Sequence, residues 1–439
     1  MSLTLSVIGC GYLGAVHAAC MAELGHTVVG VDTDAEKVAT LMSGRAPFFE
    51  PGLDELLGRM VESGRLRFTT DFAETAAATV HFLAVGTPQL AVSQGADTRY
   101  VDAAINALIP VLSPGDLIVG KSTVPVGTAA ALAQLLSSAI PSALLAWNPE
   151  FLREGFAIQD TLRPDRLVYG LPDGSAGEQA RGILNEVYAT ALAGGVPLIE
   201  ADYATAELVK VAANAFLATK ISFINAMAEI AEVVGADVTL LADAIGHDPR
   251  IGRRFLNAGI GFGGGCLPKD IRAFSSRAAE LGRGDSLAFL VEVDAINLRR
   301  RQRAVDLTVE SLGKRPSDAR VAVLGLAFKP DSDDLRDSPA LHVATSLFGL
   351  GVRVVATDPQ AIGNARRLHP QLEYATTAED AAAGADAVVL VTEWAEYRAL
   401  DPIALREVVA SPIIIDGRNC LDAEAWRAAG WTYIGMGRR

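Results

Sequence analysis

The sequence predicts an α/β protein: two parallel-sheet domains joined by a central helical region that contains one long helix. Three observations predict it. Short apolar runs alternate with helix-forming stretches before residue 200 and again after residue 313. Residues 204–234 between them carry neither proline nor glycine. The first apolar run ends in a glycine-spaced turn. Strand and helix periods in alternation give a parallel sheet with crossover helices, and an unbroken helical period gives one long helix.

Residues 3–9 form the first strand, Gly9-Cys10-Gly11-Tyr12-Leu13-Gly14 the turn, and the alanine-rich stretch after it a helix. A second strand, 27–31, ends at Asp32. In such a G-x-G-x-x-G turn the glycines let the backbone approach a pyrophosphate. The helix N-terminus faces its charge, and the acid takes the ribose hydroxyls. This is a Rossmann-like dinucleotide site, with Gly9, Gly11, Tyr12, Leu13, Gly14 and Asp32 as the expected contacts. Asp32 repels a 2′-phosphate and favours NAD over NADP; Lys37 nearby works against that choice. Further strands are expected at 79–85, 116–120 and 143–147. Gly86-Thr87-Pro88 and Ser122-Thr123 follow two of them, at the carboxyl ends where an open α/β sheet places its ligand.

The long helix carries Lys210 and Asn214 on one face, four residues apart. Lys210 interrupts an apolar run, so it is either a solvated face residue or one held inside. A second long helix is expected over 286–312. A long apolar helix in mid-chain serves equally as a dimer seam or a domain core. Gly313-Lys314-Arg315-Pro316-Ser317 reads as a linker, after which strands recur at 320–328, 352–357, 386–391 and 412–416. The turn after the first of these lacks a full G-x-G-x-x-G, so it is expected to bind something other than a dinucleotide, or nothing. The expected domains are 1–200, 201–312 and 313–439.

Between the two long helices, Gly259 to Gly265 place five glycines in seven residues immediately before Cys266. Pro268 suits a first helical turn, which puts Cys266 at a helix N-terminus, where unpaired N–H groups favour a thiolate. Asp270 falls one turn later. The alternative is a glycine loop with a buried structural cysteine, and Asp270 as a helix cap.

The composition excludes several classes. With 50% hydrophobic and 21% charged residues the chain is globular. A net charge of −14 offers no field for nucleic acid or an anionic membrane. There is no signal-peptide pattern at the N-terminus and no unbroken apolar run of bilayer length. The four cysteines (Cys10, Cys20, Cys266 and Cys420) are scattered without metal-ligand spacing, and the six histidines show no pairing, so no metal is expected. A reducing cytoplasm is the expected compartment.

The residues together resemble the nucleotide-sugar 6-dehydrogenases, the UDP-glucose/GDP-mannose dehydrogenase family. The likeness runs from about residue 5 to 437 and rests on motifs in order. They are the glycine turn, Ser122-Thr123-Val124-Pro125-Val126-Gly127-Thr128, Asn148-Pro149-Glu150-Phe151-Leu152-Arg153-Glu154-Gly155, Lys210 with Asn214, Gly261-Phe262-Gly263-Gly264 to Asp270, Phe328-Lys329 to Arg336, and Asp416-Gly417-Arg418. Gly265 departs from it, standing where many relatives carry serine.

The resemblance implies a four-electron oxidation of UDP-glucose to UDP-glucuronate with two NAD⁺ per turnover, through a thiohemiacetal and a thioester on Cys266. It implies Lys210 and Asn214 as partners of the developing oxyanion and Asp270, Thr123 and Glu150 as water-holding groups. Glu154 and Arg336 would lie near the cofactor. The sugar nucleotide would be held by Glu150, Phe151, Leu152, Arg153, Glu154, Lys210, Asn214, Phe255, Leu256, Asn257, Gly261, Gly263, Phe328, Lys329 and Arg418. Arg250 would reach the site from a neighbouring subunit, which implies a homodimer. The alternative substrates are dTDP-glucose, GDP-mannose or an N-acetylhexosamine; Pro164 to Val168 and Lys269-Asp270 favour UDP-glucose. A nucleotide-sugar sensor would not need Cys266 with Lys210, Asn214 and Asp270, and a two-electron dehydrogenase would not need Cys266.

Overall fold

The computed structural model of the chain describes residues 2–91 and 93–438. It divides into two compact units, 1–213 with 276–282 and 214–275 with 283–439, and the cut falls inside the Tyr203–Val234 helix.

In the first unit the apolar runs become β1 (Thr4–Ile8), β2 (Thr27–Val31), β3 (Leu66–Thr69), β4 (Val80–Leu83), β5 (Leu117–Gly120), β6 (Leu144–Trp147), β7 (Leu167–Gly170) and β8 (Leu198–Ala201). Their order is β3-β2-β1-β4-β5-β6-β7-β8. Strands covered on both faces need continuous apolar runs, and β4, β5 and β6 are buried throughout. The parallel expectation holds through β6. There the sheet reverses: β7 meets β6 antiparallel at Trp147 and Gly170, and β8 runs parallel to β7. The connection from β6 to β7 contains one short helix, Ala157–Leu162, ended by Arg163-Pro164. The chain therefore turns back instead of crossing over.

The second unit carries β9 (Arg320–Leu324), β10 (Arg353–Thr357), β11 (Glu373–Tyr374), β12 (Ala387–Leu390), β13 (Ile413–Asp416) and β14 (Thr432–Gly435), all parallel, in the order β11-β10-β9-β12-β13-β14. The Ala288–Ser311 helix packs Ala304 and Val305 into the same core as Val321, Val323 and Leu390. The fold is thus two sheet-based α/β domains with a central helical region.

The Tyr203–Val234 helix is long and apolar enough to cross a membrane by length and composition alone, although it holds no unbroken apolar run of bilayer length. Glu207, Lys210 and Lys220 interrupt it, and 44% of its most apolar stretch is buried in protein.

Candidate active site

The glycine turn leads from β1 into the Tyr12–Glu23 helix. Gly9 sits at φ 90°, where only glycine is unstrained, and a side chain on Gly14 would run into the Gly9 carbonyl. A side chain on Gly11 would meet nothing within 4 Å, which leaves open room in front of a helix N-terminus that has no side-chain cap. At the end of β2 the Asp32 carboxylate accepts from the Cys10 N–H and from Lys37 Nζ, both at 2.9 Å, and from the Asp34 N–H at 3.0 Å. Open space for a pyrophosphate beside an acid for ribose hydroxyls fits a bound NAD. Lys37 is paired with Asp32 in the structure.

Two residues of this region escaped the sequence reading. Glu50 is buried; it accepts from the Tyr12 hydroxyl, the Gly155 N–H at 2.6 Å and the Ala157 N–H at 2.7 Å, tying the cofactor turn to the 148–155 loop. Burial, then the bond to Glu50, pushes the Tyr12 hydroxyl far up. Lys121 is buried too, with Nζ 3.1 Å from Glu150 Oε2. Glu50 has no spacing signal, and Lys121, which closes the apolar run Leu117-Ile118-Val119-Gly120, has only the weak one of a lysine after a strand.

Around them the Ser122 hydroxyl donates to the Val85 carbonyl at 2.7 Å and the Thr87 hydroxyl to the Thr123 carbonyl at 2.7 Å, joining the Gly86–Pro88 segment to the next loop. Glu150 Oε1 accepts from the N–H groups of Phe151 at 2.8 Å and Leu152 at 3.1 Å. The Phe151 ring has the Arg166 guanidinium 3.9 Å and Lys210 Nζ 5.4 Å from its centre, so half-buried Lys210 is not a fully solvated face residue. Arg153 is bound by Asp160 at 2.6 Å, and Glu154 beside it is half-buried.

In the second unit the glycine loop delivers Cys266 to the residue before the Leu267–Glu280 helix. The Asp270 N–H donates to the Cys266 carbonyl at 2.9 Å, closing the first turn. A side chain at 263 would strike the Asp337 carbonyl, one at 264 the Phe328 ring, and one at 265 the Arg336 guanidinium. Gly263 and Gly264 are therefore demanded by a backbone carbonyl and an aromatic ring, whereas at 265 the exposed end of Arg336 can move aside, in keeping with the serine that many relatives carry there. Cys266 is exposed. The other cysteines contrast with it: burial above all pushes the Cys10, Cys20 and Cys420 thiols far up and keeps them protonated. Buried Asp270 is more than a helix cap. Asn214 Nδ2 donates to its Oδ2 at 2.6 Å and Lys269 Nζ to its Oδ1 at 2.7 Å.

Three comparisons decide the family. The chain matches the models of the UDP-glucose/GDP-mannose dehydrogenase family for the NAD binding domain over residues 3–192, the central domain over 204–299 and the UDP binding domain over 322–423. The chain belongs to this family. It is 43% identical to the UDP-glucose 6-dehydrogenase of Rhizobium meliloti, covering 99% of this chain and 100% of the relative. The UDP-glucose 6-dehydrogenase YwqF of Bacillus subtilis is 39% identical, covering 100% and 98%. Among solved structures, a UDP-glucose dehydrogenase of Pyrobaculum islandicum superposes with a TM-score of 0.90 at 38% identity, covering 100% of this chain and 98% of that one.

As a member of the UDP-glucose/GDP-mannose dehydrogenase family the chain is an NAD-dependent oxidoreductase with a nucleotide-sugar substrate. The expectation that the second glycine turn serves something other than a dinucleotide agrees with its match to the UDP binding domain. Asp358, in the place of the ribose acid, is buried and spent on its own chain. It accepts from the N–H groups of Leu326, Ala327, Gln360 and Ala361 and from the Trp394 indole.

Other residues expected at the substrate or cofactor have these surroundings within this unit. Arg418 donates to the carbonyls of Val391 at 2.8 Å, Gly261 at 2.8 Å and Phe328 at 3.1 Å, so its guanidinium braces the cysteine loop. Lys329 Nζ stands 5.4 Å from the Phe328 ring centre. Arg336 donates to Asp334 at 2.7 Å and Arg250 to Asp248 at 2.6 Å. Phe255 is held in the left-handed region at φ 66°, Leu256 is buried, and Asn257 accepts from Arg253 at 2.8 Å.

Proposed function

We propose that the protein oxidises UDP-glucose to UDP-glucuronate, consuming two NAD⁺ and one water per sugar and releasing two NADH and three protons. The observation that carries the reading is the exposed Cys266 at a helix start, one turn before an Asp270 that Asn214 binds at 2.6 Å. NAD⁺, held at the Gly9–Gly14 turn and Asp32, supplies the hydride acceptor for both oxidations. Lys210 and Asn214 hold the oxygen of the reacting carbon as its charge develops. The Cys266 thiolate adds to the aldehyde carbon, forming a C–S bond and a thiohemiacetal. Loss of the second hydride from that carbon leaves a thioester. Water, oriented by Asp270, adds to the thioester; the C–S bond breaks, the carboxylate leaves and the thiolate returns, and Thr123 and Glu150 are proposed as further water-holding groups. Glu154 and Arg336 serve on the cofactor side. Phe151, Leu152, Arg153, Phe255, Leu256, Asn257, Gly261, Gly263, Phe328 and Lys329 line the substrate, and Arg418 holds two of their carbonyls. The chemistry needs no metal.

The working form proposed is a homodimer with Arg250 shared across its interface. Phe216 (67% exposed), Phe223 (49%) and Ile230 (55%) recur every seven residues along the second-unit part of the long helix. Such an apolar stripe matches a helical seam. The region 201–312 is accordingly proposed as the dimerisation and catalytic part, between NAD-binding residues 1–200 and nucleotide-sugar-binding residues 313–439. Four cysteines that are all thiols support a reducing, cytoplasmic site of action.

Incubation with NAD⁺ and a panel of nucleotide sugars tests the reading. Two NADH per UDP-glucose, with slower turnover of dTDP-glucose, GDP-mannose and UDP-N-acetylhexosamines, is the expected result. One NADH per sugar, or preference for another sugar nucleotide, overturns it.

A further inference from the structure

We propose that Lys121 is a positioning residue for Glu150, fixing that carboxylate through a buried ion pair so that one acceptor direction is left for a water or a substrate hydroxyl. The inference deepens the proposed function, since it rests on Glu150 serving there.

Lys121 follows the last residue of β5, and its side chain is 4% exposed. Nζ lies 3.1 Å from Glu150 Oε2. Its remaining partners are neutral: Asn148 Oδ1 at 3.0 Å, the Asn148 carbonyl at 3.4 Å and the Tyr188 hydroxyl at 3.4 Å. That cage is itself fixed. The Tyr188 hydroxyl donates to Asn148 Oδ1 at 2.7 Å, and Asn148 Nδ2 donates to the Val168 carbonyl on β7 at 3.0 Å. The ammonium therefore has little freedom to follow a moving carboxylate; the carboxylate must stay with it.

A carboxylate offers about four acceptor sites. Glu150 spends one oxygen on the N–H groups of Phe151 and Leu152 and the other on Lys121, so about one site remains. A surface glutamate would need none of this. Burying an ammonium costs several kcal/mol unless it is paired, and an apolar residue of similar volume often serves stability as well. The cleft containing the pair is also lined by His17 and Thr161. Burial, and then the Lys121 charge, drive His17 well below the ordinary histidine range, so it stays neutral and adds no second cation beside Glu150.

The test compares Lys121→Met, which keeps the stem and removes the charge, with Glu150→Gln and the double variant, all as full chains. Lys121→Met is expected to lower kcat about 10- to 100-fold while the KM values for UDP-glucose and NAD⁺ stay within about twofold. The double variant should be no slower than Glu150→Gln, because the lysine acts through the carboxylate. Full kcat in Lys121→Met beside a slow Glu150→Gln overturns this inference alone, as do effects that multiply in the double variant or a loss confined to KM. Full kcat in Glu150→Gln overturns the role of Glu150 and the inference with it. Lys121→Gln is the second removal of charge; if neither variant folds while Glu150→Gln does, Lys121 is structural and the inference falls.

Discussion

Asp32 and Asp358 close the second strand of two sheets whose first six strands run in the same order, yet the residues around them differ. Asp32 stays half-buried and is held by Cys10, Asp34 and Lys37. Asp358 is buried and saturated by four backbone N–H groups and an indole. The turns differ in the same sense. Gly11 leaves open room in front of its helix, whereas the matching Ala327 is fully buried and its carbonyl accepts from Thr392. A strand-end acid is thus no cofactor signal by itself; what decides is whether its lone pairs are already taken.

Three predictions break or sharpen that comparison, and a fourth concerns pH. Asp358→Asn turns one acceptor into a donor among buried N–H groups, and denaturant titration should show a loss of about 2–4 kcal/mol with KM for NAD⁺ unchanged. Asp32→Asn should do the reverse. NAD⁺ affinity by calorimetry falls about 10- to 100-fold, equal to about 1.4–2.7 kcal/mol, while stability moves by less than about 1 kcal/mol. Gly11→Ala places a methyl in the open room; KM for NAD⁺ should rise about tenfold with no change in Tm. If Asp358→Asn proved the cofactor variant and Asp32→Asn the unstable one, the comparison would be inverted.

The smallest effect concerns pH. Burial and the nearby Lys121 charge lower the folded pKa of His17 below its ordinary 6.5, so its contribution to stability is present above pH 6.5 and lost as pH falls through the folded value. Wild-type Tm should therefore drop between about pH 7 and 5, and His17→Leu should flatten part of that slope. His26 and His342 are lowered in the same direction by burial and keep the remainder.

Much of the framework was legible because it is local. The glycine turn, the long helix and the cysteine at a helix start are each written in consecutive residues, and the structure places the helix at Tyr203–Val234 against an expected 204–234. The site's supporting contacts were not. Asn214 meets Asp270 across 56 residues, and Tyr12 meets Glu50 across 38, separations that carry no period. The reversal at β7 was hidden because a strand of four buried residues, Leu167–Gly170, has no direction of its own. Lys121 went unread for a different cause: a lone lysine after a strand is ordinarily solvated, and only burial reveals its pairing with Glu150.

The most direct measurement is uronate formation by Cys266→Ser, with NAD⁺ and UDP-glucose saturating and folding verified by thermal melt. The account predicts that uronate formation falls by about 10³-fold or more and that NADH no longer reaches two per sugar. Uronate formed at the wild-type rate, with two NADH per sugar, would contradict it.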